Sequence, residues 1–211
     1  QKIPTKFLDI NLESIIGIGN YVYLLAASTH NGEEKLIATI FKNLQNKFDN
    51  LRLIIVPRHA ERGSDIVNEL KNLKISYFRK SNNEVSDEKV VCLLADTTGE
   101  LLSFMNRADI VIMCKCFAGN EGGHNLIEAA LLGKAIVTGK ELSNFRFVMK
   151  VMKESNAILT AEDITLGSVL EELIENKEKR EKLGTIAKST VSQHIGATKR
   201  TIDEIEKMVF L

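Results

Sequence analysis

Tryptophan is absent from this sequence of 211 residues, and aromatic residues make up only 6% of it. Proteins that bind single-stranded nucleic acids commonly stack the bases on aromatic rings, so this composition argues against such a function. Basic residues are not in excess either, because 28 lysines and arginines balance 28 aspartates and glutamates. The sequence therefore predicts neither a nucleic-acid partner nor a disordered acidic tail.

Cysteines and long apolar runs are also scarce. Cys92, Cys114 and Cys116 lie in apolar surroundings without the spacing of a disulfide framework, which predicts free thiols in a reducing compartment. The apolar runs, such as 22–27, are far shorter than the roughly 18 residues that a membrane-spanning helix needs. The chain begins at Gln1 rather than at a methionine, so we expect it to be a piece of a longer protein.

Segments typical of strands alternate with segments typical of helices along most of the chain. The apolar run at 21–28 is followed by apolar residues at helical spacing within 32–48. Strands that are apolar throughout are buried on both faces of a sheet, and helical connections make neighbouring strands parallel. We therefore predict an α/β fold, a Rossmann-like, doubly wound parallel sheet of about six strands. The predicted strands are 21–28, 51–57, 75–78, 89–96, 109–114 and 135–139.

Helices are predicted between these strands and throughout the charged C-terminal part of the chain. A hydroxyl of Thr97 or Thr98 is expected to cap the helix that starts at Gly99. Gly133 is expected to end the helix that starts at Asn125. The predicted helices are 32–48, 65–73, 99–108, 125–133 and two amphipathic segments at 164–194 and 197–211.

Polar residues gather in the loops that directly follow four of the predicted strands. Three of the four histidines lie in these loops, together with several glycines and arginines. Ligands of open parallel sheets bind beyond the carboxyl ends of the strands. The clustering therefore predicts a ligand site at this edge, for a nucleotide, a cofactor or a sugar. The loops are 28–32, 57–62, 96–100 and 122–125.

Two of these loops open helices, at Gly99 and at Asn125, where free backbone amides suit a phosphate. Gly122 and Gly123 carry no side chain, so we expect a ligand to approach the main chain closely there. The alternative explanation for these residues is structural. In that case the two glycines make a turn, and His124 or Asn125 caps the helix.

Glu128 lies three residues past Asn125, on nearly the same face of the predicted helix. Its carboxylate is placed to accept two hydrogen bonds from a ribose diol, and Arg58 offers a fork of donors to a phosphate. Glu100 has a structural alternative, a favourable interaction with the helix dipole. Together the loops predict a nucleotide site with few groups that recognise a particular base.

A metal site is the alternative that Cys114 and Cys116 raise together with His124. Soft-metal sites usually have cysteines spaced C-x₂₋₄-C, whereas a single residue separates these two. We therefore interpret them as buried thiols and predict no metal. The glycine-containing loop also lacks the lysine and hydroxyl of a P-loop.

Four motifs occur in an order that is familiar from one enzyme family. They are AASTHNGEE (26–34), VPRHAER (56–62), LADTTGELLSFMNRADIVIM (94–113) and GGHNLIEAALLGKAIVTG (122–139). Over 26–157 the sequence resembles the C-terminal half of the bacterial 3-deoxy-D-manno-octulosonic acid (Kdo) transferases. The KFLD segment that begins at Lys6 resembles the junction that leads into this domain of the family.

The resemblance implies one half of a GT-B glycosyltransferase, an inverting enzyme that needs no metal and no cofactor. Such enzymes transfer Kdo from CMP-Kdo to a lipid A precursor at the cytoplasmic face of the bacterial inner membrane. Under this interpretation 1–20 is an interdomain junction and 21–164 binds the nucleotide sugar. The C-terminal helices in 165–211 pack on that domain or cross from it.

The family's general base, acceptor site and membrane attachment are implied to lie in an N-terminal domain. No catalytic residue is therefore assigned in this chain, and the chain alone is expected to be inactive. By motif, the resemblance implies CMP contacts in three short segments. These contacts are Pro57, Arg58, Gly99, Glu100, Leu101, Asn125, Leu126, Ile127 and Glu128.

The sequence departs from the family pattern at two places near these contacts. Leu126 and Ala129 stand where the family usually has prolines. A proline in the first turn only preorganises a helix, so we expect the site to survive. The segment 114–116 reads Cys-Lys-Cys near the position of a usual Gly-Gly-Ser, which changes the expected shape of the loop.

Two other functions are compatible with the same residues. One is another GT-B nucleotide-sugar enzyme, such as a UDP-sugar transferase or an epimerase. The other is a non-catalytic nucleotide-binding module that regulates a partner. The nucleotide that the chain prefers would distinguish the first function from that of a Kdo transferase. An acceptor-binding half in the parent protein would argue against the second function.

Overall fold

A sheet of eight strands forms the centre of the computed structural model, which describes residues 7–8 and 10–194. The spatial order is β4-β3-β5-β2-β1-β6-β7-β8. All neighbouring strands are parallel except β3 and β4. The strands are β1 Val22–Thr29, β2 Leu51–Pro57, β3 Tyr77–Arg79, β4 Glu84–Val85, β5 Cys92–Leu94, β6 Ile110–Met113, β7 Ala135–Gly139 and β8 Leu159–Ala161.

The predicted doubly wound α/β sheet is confirmed, but the predicted number of about six strands is too low. Each of the six predicted segments contains a strand, and β4 and β8 are additional. β4 has two residues and β8 three, so neither is long enough to produce an apolar run or an alternating pattern. Their pairing with β3 and β7 is a consequence of the tertiary fold.

Helices cover both faces of the sheet. The side chains of α2, α3 and α7 pack in one buried cluster, and those of α1, α4, α5 and α6 pack in the other. The helices are α1 Leu12–Ile16, α2 Glu33–Gln45, α3 Gly63–Asn72, α4 Leu101–Arg107, α5 Ile127–Leu131, α6 Arg146–Glu154, α7 Asp163–Glu175 and α8 Lys177–His194. Turns of 3₁₀ helix lie at Ala60–Arg62 and Ser143–Phe145.

The charged segment predicted as one helix at 164–194 is two helices, separated at Asn176. α7 packs against α2, and α8 packs against α5 and β7, so both cover the sheet domain. The helix predicted at 197–211 lies outside the described residues. Gly133 ends the α5 region in the left-handed conformation, with φ 69°, as predicted.

The predicted cap of α4 is wrong. The helix begins at Leu101, and the flanking residue is Glu100, which makes no side-chain capping hydrogen bond. The Thr97 hydroxyl instead donates to the Glu100 carboxylate. Gly99, with φ 86°, turns the chain between the two residues, and so directs the threonine away from the helix amides.

The centre of the sheet explains why the segment at 51–57 is apolar. β2 lies between β5 and β1, and each of its residues is buried. Its one charged residue, Arg52, donates to the carbonyls of Asp49 and Leu51. Its guanidinium also lies 3.8 Å from the centre of the Tyr21 ring.

Candidate functional site

The order of the strands reverses between β1 and β6, and this is where an open α/β sheet forms a crevice for ligands. α2 follows β1 and packs on one face of the sheet, and α5 follows β6 and packs on the other face. The pairing of β1 with β2 shifts between Ala27 and Thr29. Ser28 between them is left-handed, with φ 57°, so β1 bends as it enters the crevice.

Glu33 joins the two loops that border this crevice. Its side chain is fully buried at the start of α2, and its carboxylate accepts four backbone hydrogen bonds. The donors are the amides of His30 at 2.8 Å and of Lys115, Cys116 and Phe117 at 3.0 Å. Burial raises the pKa of the Glu33 carboxyl, and the four amides oppose that effect. Glu33 therefore fixes the loop after β1 to the loop after β6.

Glu34 joins the loop after β1 to the loop after β2. Arg62 contacts both of its carboxylate oxygens, with nitrogen-to-oxygen distances of 2.6 and 3.2 Å. The Thr29 hydroxyl donates to the same carboxylate at 2.8 Å. The Glu34 side chain is 3% exposed and that of Arg62 is 20% exposed, so the pair is largely removed from water.

Asp96 and Glu100 are engaged in the same way beyond β5. Arg79 Nε lies 2.6 Å from Asp96, and Ser81 donates to Asp96 through its amide and its hydroxyl. Burial alone would raise the pKa of Asp96, but these donors hold it below its ordinary value. Glu100 is ion-paired with Lys80, and its pKa is also lowered by Lys80 and Thr97 against the effect of burial. The carboxylate of Glu100, a predicted CMP contact, is thus bound within the fold.

Arg58 and Lys115 form the contrasting group at this edge. Among the described residues, neither side chain has an ion-pair or hydrogen-bond partner in the structure. Arg58 is exposed after β2, where its amide donates to the Thr29 carbonyl at 3.0 Å. Lys115 follows β6 in the left-handed conformation, with φ 68°. Both cations are therefore available to an anion from outside the fold.

Three histidines cluster near these two cations. The Nε2 atoms of His30 and His124 are 3.2 Å apart, and their rings stack with centres separated by 5.3 Å. His59 packs edge-on against His30 at 5.9 Å. The clustering of three histidines predicted from the loops is therefore confirmed.

The histidine pair is held in an uncharged form. Burial, together with the nearby His30, Lys115 and Arg58, lowers the pKa of His124 to about 4. A hydrogen bond with the backbone of Ser28 opposes this effect. Burial and Lys115 also lower the pKa of His30. Cations surround the two rings, so a further positive charge there is unfavourable in the absence of an anion.

The segment 125–128 is less helical than expected. α5 begins at Ile127, and Asn125 Oδ1 accepts a hydrogen bond from the Ile127 amide at 3.0 Å. Asn125 thus accepts from the first amide of α5 but lies one residue before the N-cap position, which is Leu126 and makes no side-chain capping hydrogen bond. The Leu126 side chain is fully buried, so only its main chain can reach a ligand, whereas Glu128 is half-buried.

The glycine pair before this segment has a different function from the one expected. A side chain on Gly123 would lie 2.0 Å from Leu142 Cδ2, and one on Gly122 would lie 2.7 Å from Asn144 Nδ2. The segment after β7 therefore fills the space that the glycines leave. The expectation that this space admits a ligand is wrong, since the chain itself occupies it.

The predicted contacts converge from two directions. Arg58 lies close enough to His124 to affect its charge, and the segment 125–128 follows His124 directly. The segment 99–101 follows β5. Because β5 pairs in parallel with β2, its carboxyl end lies near Pro57, the last residue of β2. Pro57 is buried, Leu101 is half-buried and Gly99 is exposed. α4 and α5 also pack against each other, so their first turns lie on one side of the crevice.

A neighbouring cleft at the same edge is chemically unsuited to an anion. It has a volume of about 590 Å³ and lies between the loop after β6 and the ends of β7 and β8. The one lysine in its lining, Lys140, is ion-paired with Glu162 at 2.6 Å. Its acidic residues are Glu121, Glu141, Glu162 and Asp163. A phosphate is therefore favoured on the side of Arg58 and Lys115.

The cysteines are free thiols, as predicted. Cys92 and Cys114 are buried, and burial raises the pKa of Cys116 to about 11. Within the part of the chain that the structure describes, no group of three or more histidine, cysteine, aspartate or glutamate side chains is arranged to hold a metal ion. None of the helices formed by the described residues is both long and apolar enough to cross a membrane.

Sequence reasoning missed Glu33, Lys115 and the partners of the buried carboxylates. The burial of Glu33 could have been predicted from the sequence, because it lies four residues before Ile37 and eight before Phe41, on the buried face of α2. A carboxylate on such a stripe needs internal donors. Arg79 and Lys80 carried no such signal, since their pairing depends on the register of a three-residue strand.

The fold, with a crevice at its switch point, is that of one Rossmann-like domain of the GT-B class. The Anabaena protein HepE, solved with UDP and glucose, shares this fold with a TM-score of 0.59 and 15% identity. That match covers 95% of this chain and 51% of HepE. No protein-family model matches the chain.

Relatives with higher sequence identity identify the family of the chain. The 3-deoxy-D-manno-octulosonic acid transferase of Haemophilus influenzae is 33% identical over 181 residues, which are 85% of this chain and 42% of that protein. The transferase of Rickettsia prowazekii is 31% identical over 162 residues, or 75% and 35% of the two chains. The chain thus spans less than half the length of these relatives.

A solved structure locates the match within such a protein. The C-terminal CMP-Kdo binding domain of WaaA from Acinetobacter baumannii has a TM-score of 0.76 and 26% identity. The match covers 82% of this chain and 90% of the WaaA domain. The chain belongs to the Kdo transferase family and corresponds to its C-terminal domain.

Proposed function

We propose that this chain is the donor-binding domain of a longer Kdo transferase, which transfers Kdo from CMP-Kdo to a lipid A precursor. One observation carries the proposal. Arg58 and Lys115, which have no ion-pair partner among the described residues, flank the crevice between β1 and β6, in a chain related to Kdo transferases. An anionic nucleotide sugar is the ligand that fits these charges.

The donor's phosphate is proposed to bind Arg58. A guanidinium presents a planar fork of donors, and charge-assisted hydrogen bonds to phosphate are stronger than neutral ones. The main chain at 125–127 and at Gly99 lies beside it on the same edge, and Glu128 is proposed to accept hydrogen bonds from the ribose hydroxyls. Glu100 is proposed to act through Lys80 and the shape of the loop, because its carboxylate is already paired.

Arg58 and Lys115 are also proposed to assist the reaction. Negative charge develops on the CMP phosphate as its bond to the sugar breaks. Fixed cations beside that phosphate stabilise the charge without having to reorganise. We propose an inverting transfer that needs no metal and no cofactor.

The remaining functions are proposed to belong to the rest of the longer protein. A carboxylate there would deprotonate the acceptor hydroxyl as a general base. The same part would bind the lipid acceptor and hold the enzyme at the cytoplasmic face of the inner membrane. The 211-residue chain alone is therefore expected to bind the donor nucleotide but not to transfer Kdo.

Calorimetric titration of the chain with CMP, UMP and AMP tests the assignment of the nucleotide. We expect weak binding of CMP and at least tenfold weaker binding of the other two. Equal affinity for all three would contradict a CMP site and favour a general nucleotide module. Preference for UMP would favour a UDP-sugar enzyme.

A transfer assay tests the proposed division of labour. We expect no Kdo transfer from CMP-Kdo to a lipid A precursor by the chain alone, and transfer once the N-terminal part of the longer protein is present. Transfer by these 211 residues alone would show that the chain holds its own base and acceptor site.

A further inference from the structure

The stacked pair of His30 and His124 is a polar contact that the proposed CMP contacts do not use. Their Nε2 atoms are 3.2 Å apart, at the floor of the crevice between β1 and β6. His124 also makes a hydrogen bond with the backbone of Ser28, whose left-handed conformation turns it toward the crevice. Both rings are half-buried, so one side of the pair remains open.

The distance between the two nitrogens limits the protons that the pair holds. At 3.2 Å one nitrogen donates and the other accepts, so a single proton lies between the rings. A second proton would turn the acceptor into a donor and place a positive charge against its neighbour. That charge becomes favourable only when an anion contacts the rings.

Within the described part of the chain, the groups around the pair supply no spare anion. The cations and titratable groups that face it are Lys115, Arg58, Arg62 and His59. The carboxylates nearby are Glu33, which accepts four amides, and Glu34, which is paired with Arg62 and Thr29. Any counter-ion for a protonated pair must therefore come from a ligand.

We propose that His30, His124 and Lys115 form an anion subsite of the donor site, which takes up a proton from solvent when an anionic group of the nucleotide sugar binds. This inference rests on the proposed function, because the anion belongs to the donor. Two groups of that donor share the required chemistry, the phosphate of CMP and the carboxylate of the sugar acid. The proton adds to the ring nitrogen that accepts the hydrogen bond in the free protein. That hydrogen bond then breaks, and both Nε2–H groups donate to the bound anion.

The free protein is in the correct state for such uptake. The pKa of His124 is about 4 and that of His30 is lowered from its ordinary value, so both rings are neutral near pH 7. A bound anion raises the pKa of a neighbouring imidazole toward or above about 6.5. Anion binding is therefore expected to be stronger at pH 6 than at pH 8.

Calorimetry in two buffers with different ionisation enthalpies measures the proton directly. The difference in apparent binding enthalpy gives the number of protons taken up per ligand. At pH 6.5 we expect CMP to bring at least roughly half a proton more onto the chain than onto His30→Asn, because the second ionisation of the phosphate, near pH 6, contributes equally to both. Cytidine, which has no phosphate, should bring none to either. Uptake with CMP identifies the phosphate as the anion, and uptake with CMP-Kdo alone identifies the sugar carboxylate.

Variants assign the proton to the pair. His30→Asn and His124→Asn keep a side chain that forms hydrogen bonds but does not titrate, and we expect either to abolish most of the uptake. His59→Asn is the matched control, because that side chain is 55% exposed and makes no hydrogen bond to the pair, and we expect it to retain the uptake. Melting temperatures show which variants are folded. If His124→Asn does not fold, His30→Asn alone tests the pair.

Lys115→Gln tests the cation of the subsite. We expect it to weaken CMP or CMP-Kdo binding by roughly fivefold or more, since it removes a charge-assisted contact. Lys182→Gln, at an exposed position of α8, is its control and should leave binding unchanged.

Proton exchange that is equal in the unsubstituted chain and in His30→Asn, for both CMP and CMP-Kdo, would overturn the subsite while leaving the proposed function intact. Uptake that persists undiminished in both His30→Asn and His124→Asn would do the same, because the proton would then belong elsewhere. Failure of every cytidine nucleotide to bind would contradict the proposed function and this inference together.

Discussion

The charged side chains at the carboxyl edge of the sheet form two groups, which differ in whether the chain itself neutralises them. The scaffold charges are Glu33 with its four amides, Glu34 with Arg62, Asp96 with Arg79 and Glu100 with Lys80. The open charges are Arg58 and Lys115, with the neutral pair of His30 and His124 near them. Residue type does not separate the groups, since each contains an arginine and a lysine.

The difference shows how one edge can be rigid and receptive at once. Removing one member of a buried pair leaves the other uncompensated, so the scaffold charges belong to the stability of the fold. They bind the loops after β1, β2 and β6 to one another, and the loop after β5 to the end of β3 and the loop that follows it. The open charges are held by those loops and remain available to a ligand, so they belong to binding.

Glu33→Ala should give the largest effect on the scaffold side. Four amides lose their acceptor, and each unsatisfied buried group costs about 1–3 kcal/mol, so we expect a loss above about 4 kcal/mol in the free energy of unfolding. Urea denaturation measures it. Lys35→Ala, at an exposed position of the same helix, should change stability by less than about 0.5 kcal/mol. A loss below about 1 kcal/mol for Glu33→Ala would show that the loops do not depend on this carboxylate.

Gly123→Ala should also act on stability, because the chain fills the space beside that residue. The added methyl group would lie 2.0 Å from Leu142 at a φ of 68°. We expect a loss of about 2–4 kcal/mol from overpacking and backbone strain together. Gly99→Ala is the control, since it has a φ of 86° but no neighbour within 4 Å, and should lose only about 1 kcal/mol. Equal losses would mean that overpacking contributes nothing.

Glu128→Ala should act on binding, because its carboxylate is proposed to contact the ribose. A carboxylate that holds a ribose diol contributes about 1.5–3 kcal/mol per charge-assisted hydrogen bond, so CMP affinity should fall roughly tenfold or more. Glu121→Ala, an exposed carboxylate in the adjacent loop, should leave the affinity unchanged. Unchanged affinity with a lowered melting temperature would remove Glu128 from the site, since a helix-dipole interaction contributes only about 0.3–1 kcal/mol of stability.

The pH dependence of stability should give the smallest effect. The pKa values of His30 and His124 in the fold lie below the unfolded value, with His124 at about 4. The unfolded chain therefore binds more protons between about pH 6.5 and 4, and stability decreases as the pH falls through this window. The slope between pH 7 and 5, from urea denaturation, should be smaller in His124→Asn than in the unsubstituted chain. An equal slope in His124→Asn would show that His124 is not buried in its neutral form.

Much of this architecture could be predicted because its signals are local. The run at 51–57, apolar except for Arg52, predicted the central strand, and the loops after the strands located the histidine cluster. The division between scaffold and open charges could not be predicted in the same way. It depends on which carboxylate meets which cation across strands that are far apart in sequence, as with Arg79 and Asp96.

The glycine loop shows the same limit. Gly122 and Gly123 suggested space for a ligand, and only the tertiary fold brings Leu142 and Asn144 into that space. Asn125 was predicted as a phosphate contact with capping as the alternative. Its side chain accepts from the Ile127 amide, but the N-cap residue of α5 is Leu126. Its main chain stays a predicted contact of CMP.

Arg58 and Arg62 offer the most direct test of the distinction between scaffold and open charges. They lie four residues apart in one loop, one exposed without an ion-pair partner among the described residues and the other paired with Glu34. The measurement is CMP affinity by calorimetry together with the free energy of unfolding, for Arg58→Ala and Arg62→Ala. Arg58→Ala should lower affinity roughly tenfold or more with little change in stability. Arg62→Ala should lose about 2–3 kcal/mol of stability and keep its affinity. Full CMP affinity in folded Arg58→Ala would contradict the account, as would an equal loss of affinity in both variants.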